Sequence, residues 1–248
     1  MTSIILHIPH SSTFIPFYDG YTVDKDTINN EINLLTDWFT DELFDLPYTK
    51  IITPFSRVFC DVERFHDDSE EIMSKYGMGI CYTHFDNGKL MREVNPELRN
   101  RIKNDFYDHH HRELEKAVDE CLSKNNKAII IDCHSFPHLP LERDLQKELP
   151  RPDFCIGTND FHTPEPIADY ACEFITKHGF NVKFDNPYSG TIIPLKYFNK
   201  ENKVHGLMIE VNRNFYMNLE QGKIIKKSNF QNIKHLLDDL IINILNCC

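Results

Sequence analysis

Four short segments, far apart in the chain, carry side chains suited to active-site chemistry. They are His7-Ile8-Pro9-His10-Ser11-Ser12, Asp61-Val62-Glu63-Arg64, Asp132-Cys133-His134-Ser135 and Glu210-Val211-Asn212-Arg213. A catalytic metal site needs two or three histidine or carboxylate ligands and an open position for water. It also needs a carboxylate to take the water's proton. The four segments supply these groups, together with arginines whose planar forks match a substrate carboxylate.

His10 and His134 each lie just past an apolar, β-branched run. A lone histidine there commonly caps or packs, but two at the ends of two buried strands converge readily on one ion. His134 projects on the side of Asp132, since alternate strand residues share a face. His7, inside its strand, reads as buried rather than ligating. Asp61 and Glu63 share a face if a strand runs through them, and either completes a two-histidine, one-carboxylate set. Spacing does not choose between them, and ion pairs with Arg57 or Arg64 are the structural alternative. Glu210 closes the run Leu207-Met208-Ile209 and is costly to bury without a partner or a task. It is the candidate general base; a salt bridge to Arg213 is the bland reading. Arg57, Arg64 and Arg213 are candidates to hold an acidic substrate. Neighbouring helical residues point about 100° apart, so His109-His110-His111 cannot share one metal and at most one faces the site.

Elements must bring these residues together. Ser3 to Ile8, Lys50 to Thr53, Arg57 to Val62, Lys127 to Asp132, Asp153 to Gly157, Phe180 to Phe184 and His205 to Val211 read as strands. Residues 24 to 45 show helical spacing behind Asp24 as N-cap. Asn95 to Lys124 reads as one long helix with Pro96 at its first position. Pro164 to His178 and Ser228 to Leu245 are further helices, the first ending at Gly179. The polar stretch from His66 to Tyr76 reads as a loop, and Asn87-Gly88 between apolar runs predicts a hairpin. Strands alternating with helices give a single α/β domain over residues 1–248, with a mixed, mostly parallel sheet and helices on both faces. Ligands bind beyond the carboxyl ends of such strands, where the candidate residues lie.

Composition narrows the partners. The 248 residues are 41% hydrophobic, enough for a sizeable core, and the net charge of -11 disfavours nucleic acid and anionic membranes. A small anionic substrate stays compatible, because local arginines act at short range. The eight cysteines include no C-x-x-C pair and read as buried thiols in a reducing compartment. Cys247-Cys248 does not match a prenylation ending and reads as a frayed end. Met1-Thr2-Ser3 leads into a strand without a signal-peptide pattern, and no apolar stretch is long enough to span a membrane; a cytoplasmic location is the expectation.

The segments resemble the N-formylglutamate amidohydrolase family. Pro9-His10-Ser11-Ser12, Asp61-Val62-Glu63-Arg64, Asp132-Cys133-His134-Ser135, Pro187-Tyr188-Ser189-Gly190-Thr191 and Ile209 to Met217 carry the likeness, in order, across residues 4 to 220. The resemblance implies a fold similar to zinc carboxypeptidases (phosphorylase/hydrolase-like). It also implies one divalent metal, zinc, and hydrolysis of the amide of an N-acyl amino acid such as N-formylglutamate. Carried over by motif, His10 and His134 are metal ligands with Asp61 as the third, Glu63 being its alternative. Glu210 activates water. Arg64, Arg213, Asn212 and Ser189 hold substrate carboxylates with Arg57 beside them, and His111 approaches the site. One position departs: the family usually has asparagine where this chain has Glu63, which sets a negative charge near the expected substrate. Three rivals stand beside this reading. A metal-free binding protein on the same fold is one. A nucleophilic Cys133 is disfavoured because it and His134 point to opposite strand faces. A metallocarboxypeptidase-like peptidase is disfavoured because Thr13 stands where an H-x-x-E pair would need glutamate.

Overall fold

The computed structural model describes residues 3–220 and 223–245. The Cys247-Cys248 ending and Met1-Thr2 lie outside them. The first strand, β1 (Ile4–Ile8), is followed by α1 (Lys25–Leu35), α2 (Thr40–Leu43) and β2 (Thr49–Ile52). Next come α3 (Pro96–Ile102), α4 (Asp108–Asn125), β3 (Ala128–Phe136) and β4 (Phe154–Gly157). After α5 (Glu165–Lys177) come β5 (Val182–Phe184), β6 (Val204–Asn212), β7 (Met217–Glu220), β8 (Lys223–Lys226) and α6 (Phe230–Ile244). Six strands form one sheet in the order β2-β1-β3-β6-β4-β5. β2, β1, β3 and β6 run parallel, while β4 pairs antiparallel to β6 and parallel to β5.

Alternation along the strands sorts side chains to two faces. Ile4, Leu6 and Ile8, with Ile129, Ile131 and Cys133, and with Leu207, Ile209 and Val211, pack beneath α5 and α6. Ile5 and Ile130 pack on the other face, against Leu114, Val118 and Cys121 of α4. The polar residues His7, Asp132, His134 and Glu210 share the α4 side, towards the carboxyl ends of β1, β3 and β6. Cys133 therefore lies on the far face, fully buried, its Sγ on the Ile131 carbonyl, which removes it as a nucleophile for a site on the α4 side. Among the described residues no helix is long and apolar enough to cross a membrane.

Several expected elements differ. Residues 24–45 form two helices rather than one. Asp24 caps α1 through Thr27 N, but Thr36 leaves the helical region and Phe39 adopts φ 64° before α2. Arg57 to Val62 is a series of turns, not a strand. Ser56 Oγ accepts from Val58 N and the Ser56 carbonyl accepts from Phe59 N, closing a turn that follows Pro54. The apolar residues Val58, Phe59 and Val62 are buried without strand pairing. The Asn87-Gly88 turn forms, with Gly88 at φ 84°, but it is flanked only by an isolated His84–Leu90 bridge. A 3-10 helix, Ile72–Tyr76, occupies part of the expected loop. The long helix carries a π-helical segment, Lys103–Tyr107, between α3 and α4. The β7–β8 pair was not expected from the sequence pattern.

Candidate active site

The loop after β2 builds one wall. Asp61 Oδ1 accepts from Glu63 N at 3.0 Å, an Asx turn that swings Glu63 around while Asp61 itself points inward. Asp61 is fully buried and takes bonds from His10 Nε2 (2.9 Å), Arg57 Nη2 (3.0 Å) and Tyr82 Oη (2.7 Å). Burial pushes its carboxyl upward, but Arg57, Arg64 and His10 outweigh that and hold it well below the usual range. An ionised Asp61 can only accept, so His10 Nε2 carries the proton of the bond. In the neutral ring Nδ1 is then a bare lone pair. That atom is buried and has no hydrogen-bond partner.

β3 supplies the second histidine. His134 Nδ1 lies 3.1 Å from Asp37 Oδ2, and Nε2 lies 3.1 Å from Glu63 Oε2 and 3.1 Å from Asp132 Oδ1. Burial works against a charge on His134, yet Glu63, Asp132 and the bond to Asp37 raise it well above its ordinary value. Without a cation, a proton on Nε2 is the positive charge these carboxylates share. His10, Glu63 and His134 each offer one ligand atom, all within 4.8 Å of one another. Thus Glu63 faces both histidines, whereas Asp61 stands behind His10.

Glu210 pairs in register with His134 across β3 and β6. Its carboxylate is almost fully buried and its Oε2 has no hydrogen-bond partner. Burial raises it to about 8; His134 and Arg213 oppose that shift while Asp37 and Glu63 add to it. No salt bridge joins it to Arg213 among the described residues. Arg213 instead donates to Asp37 Oδ1 (2.8 Å), Ser135 Oγ (3.1 Å) and the carbonyls of Leu34 and Ser135. Asn212 donates to the Pro152 carbonyl and accepts from Asn214 N. Both are buried in framework bonds.

Arg57 and Arg64 differ, each about a fifth exposed at 18% and 20%. Their bonds to Asp61, the Met78 carbonyl and Tyr82 use Nε and Nη2. Ser189 is exposed, in a turn that follows the cis Asn186-Pro187 bond. Gly157 lets that turn approach β4: a Cβ there would fall 2.3 Å from the Gly190 carbonyl oxygen. Beyond the turn, Ile192 N donates to Asp132 Oδ2 at 2.9 Å.

The π-helical segment sets the phase of α4. Tyr107 Oη donates to the Arg64 carbonyl (2.6 Å) and His111 Nε2 to the Val62 carbonyl (2.8 Å). The two bonds bracket Glu63. Burial pushes His111 down to about 4, so its ring is neutral and Nε2 is the donor nitrogen. His110 is also driven well down, by burial and by His7, and its Nε2 lies 2.8 Å from His7 Nε2. Of the three adjacent histidines, two thus serve the site from behind; neither belongs to the ligand group.

Asp37, Tyr82 and Tyr107 were missed from the sequence. Asp37 sits in what reads as a continuous amphipathic helix, where an acidic residue suggests a solvated face. Only the break after Leu35 turns it inward. Nothing in the spacing of Tyr82 or Tyr107 separates them from core aromatics.

This geometry can be set against known proteins. The family profile of N-formylglutamate amidohydrolase matches residues 2–217. The chain belongs to the N-formylglutamate amidohydrolase family. Members of this family are hydrolases acting on a linear amide. A crystal structure of N-formylglutamate amidohydrolase from Ralstonia eutropha is 23% identical and superposes with a TM-score of 0.81. That match covers 98% of this chain and 93% of the other. A gene product of Agrobacterium tumefaciens is 15% identical with a TM-score of 0.66, covering 98% of this chain and 90% of that one. These two likenesses show a shared fold. No curated protein sequence matches.

Proposed function

We propose that the protein hydrolyses the amide of a small, anionic N-acyl amino acid, of which N-formylglutamate is the type, at a divalent metal held by His10, His134 and Glu63. The observation that carries this reading is the bare, buried Nδ1 of His10 beside His134 Nε2 and a Glu63 oxygen. A two-nitrogen, one-oxygen donor set fits zinc. Both histidines are backed by carboxylates, Asp61 behind His10 and Asp37 behind His134, the pattern that orients metal-binding imidazoles. Asp61 is thereby assigned a supporting role and Glu63 the ligand role. When bound, the metal supplies a Lewis acid for the carbonyl and lowers the pKa of water.

The chain's own groups do the rest. Glu210 presents a carboxyl group without a hydrogen-bond partner in a dry site; burial raises its pKa, and a divalent cation on the neighbouring His134 would favour the ionised form a general base needs. It takes the proton of the attacking water and delivers it to the leaving nitrogen. Arg57 and Arg64 keep Nη1 free of protein bonds among the described residues and are assigned the substrate carboxylates. Ser189, exposed on the turn that leads to Ile192 N at Asp132, is assigned as a further substrate contact. Arg213 and Asn212 act from behind, the first by fixing Asp37. Cytoplasmic residence fits the buried free thiols Cys60, Cys81, Cys121, Cys133 and Cys155.

The test is metal content of the purified protein, with formate or free-amine release from a panel of N-acyl amino acids, with and without chelator. Stoichiometric zinc and chelator-sensitive release from acidic N-formyl substrates are expected. Metal-free protein that binds these ligands without turnover would instead support a binding protein on this fold.

A further inference from the structure

A third histidine meets Glu63 and has no part in the chemistry above. His7 is fully buried on β1, with Nδ1 2.7 Å from Asp132 Oδ1 and 3.6 Å from Glu63 Oε1. Glu63 lies between two adjoining groups that share it. Its Oε2 lies 3.6 Å from His10 Nδ1 and its Oε1 lies at the same distance from His7 Nδ1, while both oxygens meet His134 Nε2, at 3.1 and 3.2 Å, so that His134 stands between the two groups. His7, Glu63 and Asp132 form a second group whose ligand atoms all lie within 4.8 Å of one another.

His7 is also supported as a ligand would be. Its Nε2 meets His110 Nε2 at 2.8 Å, and His110 Nδ1 meets Thr53 Oγ1 at 3.2 Å. Every link of this chain tolerates the proton on either side. With Nδ1 bonded to Asp132 as a donor, protons run from Thr53 towards His7. With a cation on Nδ1 they reverse: His7 Nε2 donates to His110, and His110 Nδ1 donates to Thr53. A held far nitrogen is what keeps a ligating imidazole in place. A carboxylate whose two oxygens face different outer histidines, His10 and His7, is suited to a pair of ions about 3.5–4 Å apart.

We propose that Glu63 bridges two divalent cations, the second held by His7 and Asp132. The proposal rests on the first cation assigned above, and its test separates the two. Metal-free full-length protein is titrated with Mn2+, bound metal is counted by equilibrium dialysis, and the low-temperature electron paramagnetic resonance spectrum is recorded. Two equivalents and an exchange-coupled multiline signal are expected. His7→Gln should keep one equivalent, lose the coupling and weaken the second ion by more than about tenfold. One equivalent with an isolated-ion spectrum overturns the second site and leaves the first standing. Two uncoupled equivalents that persist in His7→Gln place the second ion elsewhere and also overturn it. No bound metal overturns both. Should His7→Gln fail to fold, the wild-type count and spectrum decide alone.

Discussion

Asp61 and Glu63 are two residues apart and do opposite work, and the Asx turn between them is the reason. The turn aims one carboxylate at Arg57, Tyr82 and the back of His10, and the other at His10 Nδ1 and His134 Nε2. Strand spacing would have put both on one face, so sequence pattern alone could not divide their roles. His10, His134 and Glu210 were legible because each ends or follows a buried apolar run, where a titratable group needs a task. Asp37 was not, because its burial depends on a helix break with no proline or glycine to announce it. Two expected outcomes belong at this scale. Asp37→Asn and Asp61→Asn should each weaken metal binding about 10- to 100-fold, read by competition with a chromophoric chelator; wild-type affinity in both would remove the supporting role. Glu210→Gln should lower kcat by about 10²- to 10⁴-fold while metal content stays unchanged, and retained turnover would take Glu210 out of proton transfer.

Elements decide how firmly Glu63 is held. Its loop has no strand pairing; besides the bonds of Asp61 N to the Ile80 carbonyl and Arg64 Nε to the Met78 carbonyl, it is held by α4 and the π-helical segment that leads into it. Such a segment inserts a residue and re-phases the helix that follows, which is why it recurs at functional sites. Here it brings Tyr107 and His111 onto the carbonyls of Arg64 and Val62. The apolar periodicity of Asn95 to Lys124 identified the helix. It could not locate a one-residue phase shift, because π- and α-turns draw on the same residue types. Tyr107→Phe should leave the Arg64 carbonyl short of a buried partner and cost about 1–2 kcal/mol. A drop in melting temperature with weakened metal retention is the expected pair of results. A stability loss with metal affinity intact would make Tyr107 part of the core and nothing more.

At the scale of the whole molecule the sheet was readable because its central strands are nearly uninterrupted apolar runs ended by polar residues. The connections were less so: Arg57 to Val62 is as apolar as a strand yet packs as turns in a satellite core, and only tertiary contact tells these apart. That satellite core contains the clearest pH-dependent group outside the site. Glu31 of α1 accepts from Asp86 N, and Asp86 in turn accepts from the backbone N–H groups of Glu142 and Arg143. Burial raises Glu31 from 4.5 to about 7; the Asp86 N–H and Arg143 oppose it and the Asp86 charge adds to it. Between those values the folded protein holds a proton that the unfolded chain has released, so stability falls as pH rises through the window. The stabilising contribution of the proton is whole below 4.5 and gone above about 7. Glu31→Gln keeps the acceptor for Asp86 N and removes the charge. It should be close to neutral at pH 4.5 and stabilise the protein at pH 8 by roughly 2 kcal/mol after allowance for solvent screening. Urea unfolding of both proteins at the two pH values measures this difference. An equal effect at both would mean that the substitution acts through packing, and that Glu31 titrates alike in the folded and unfolded chain.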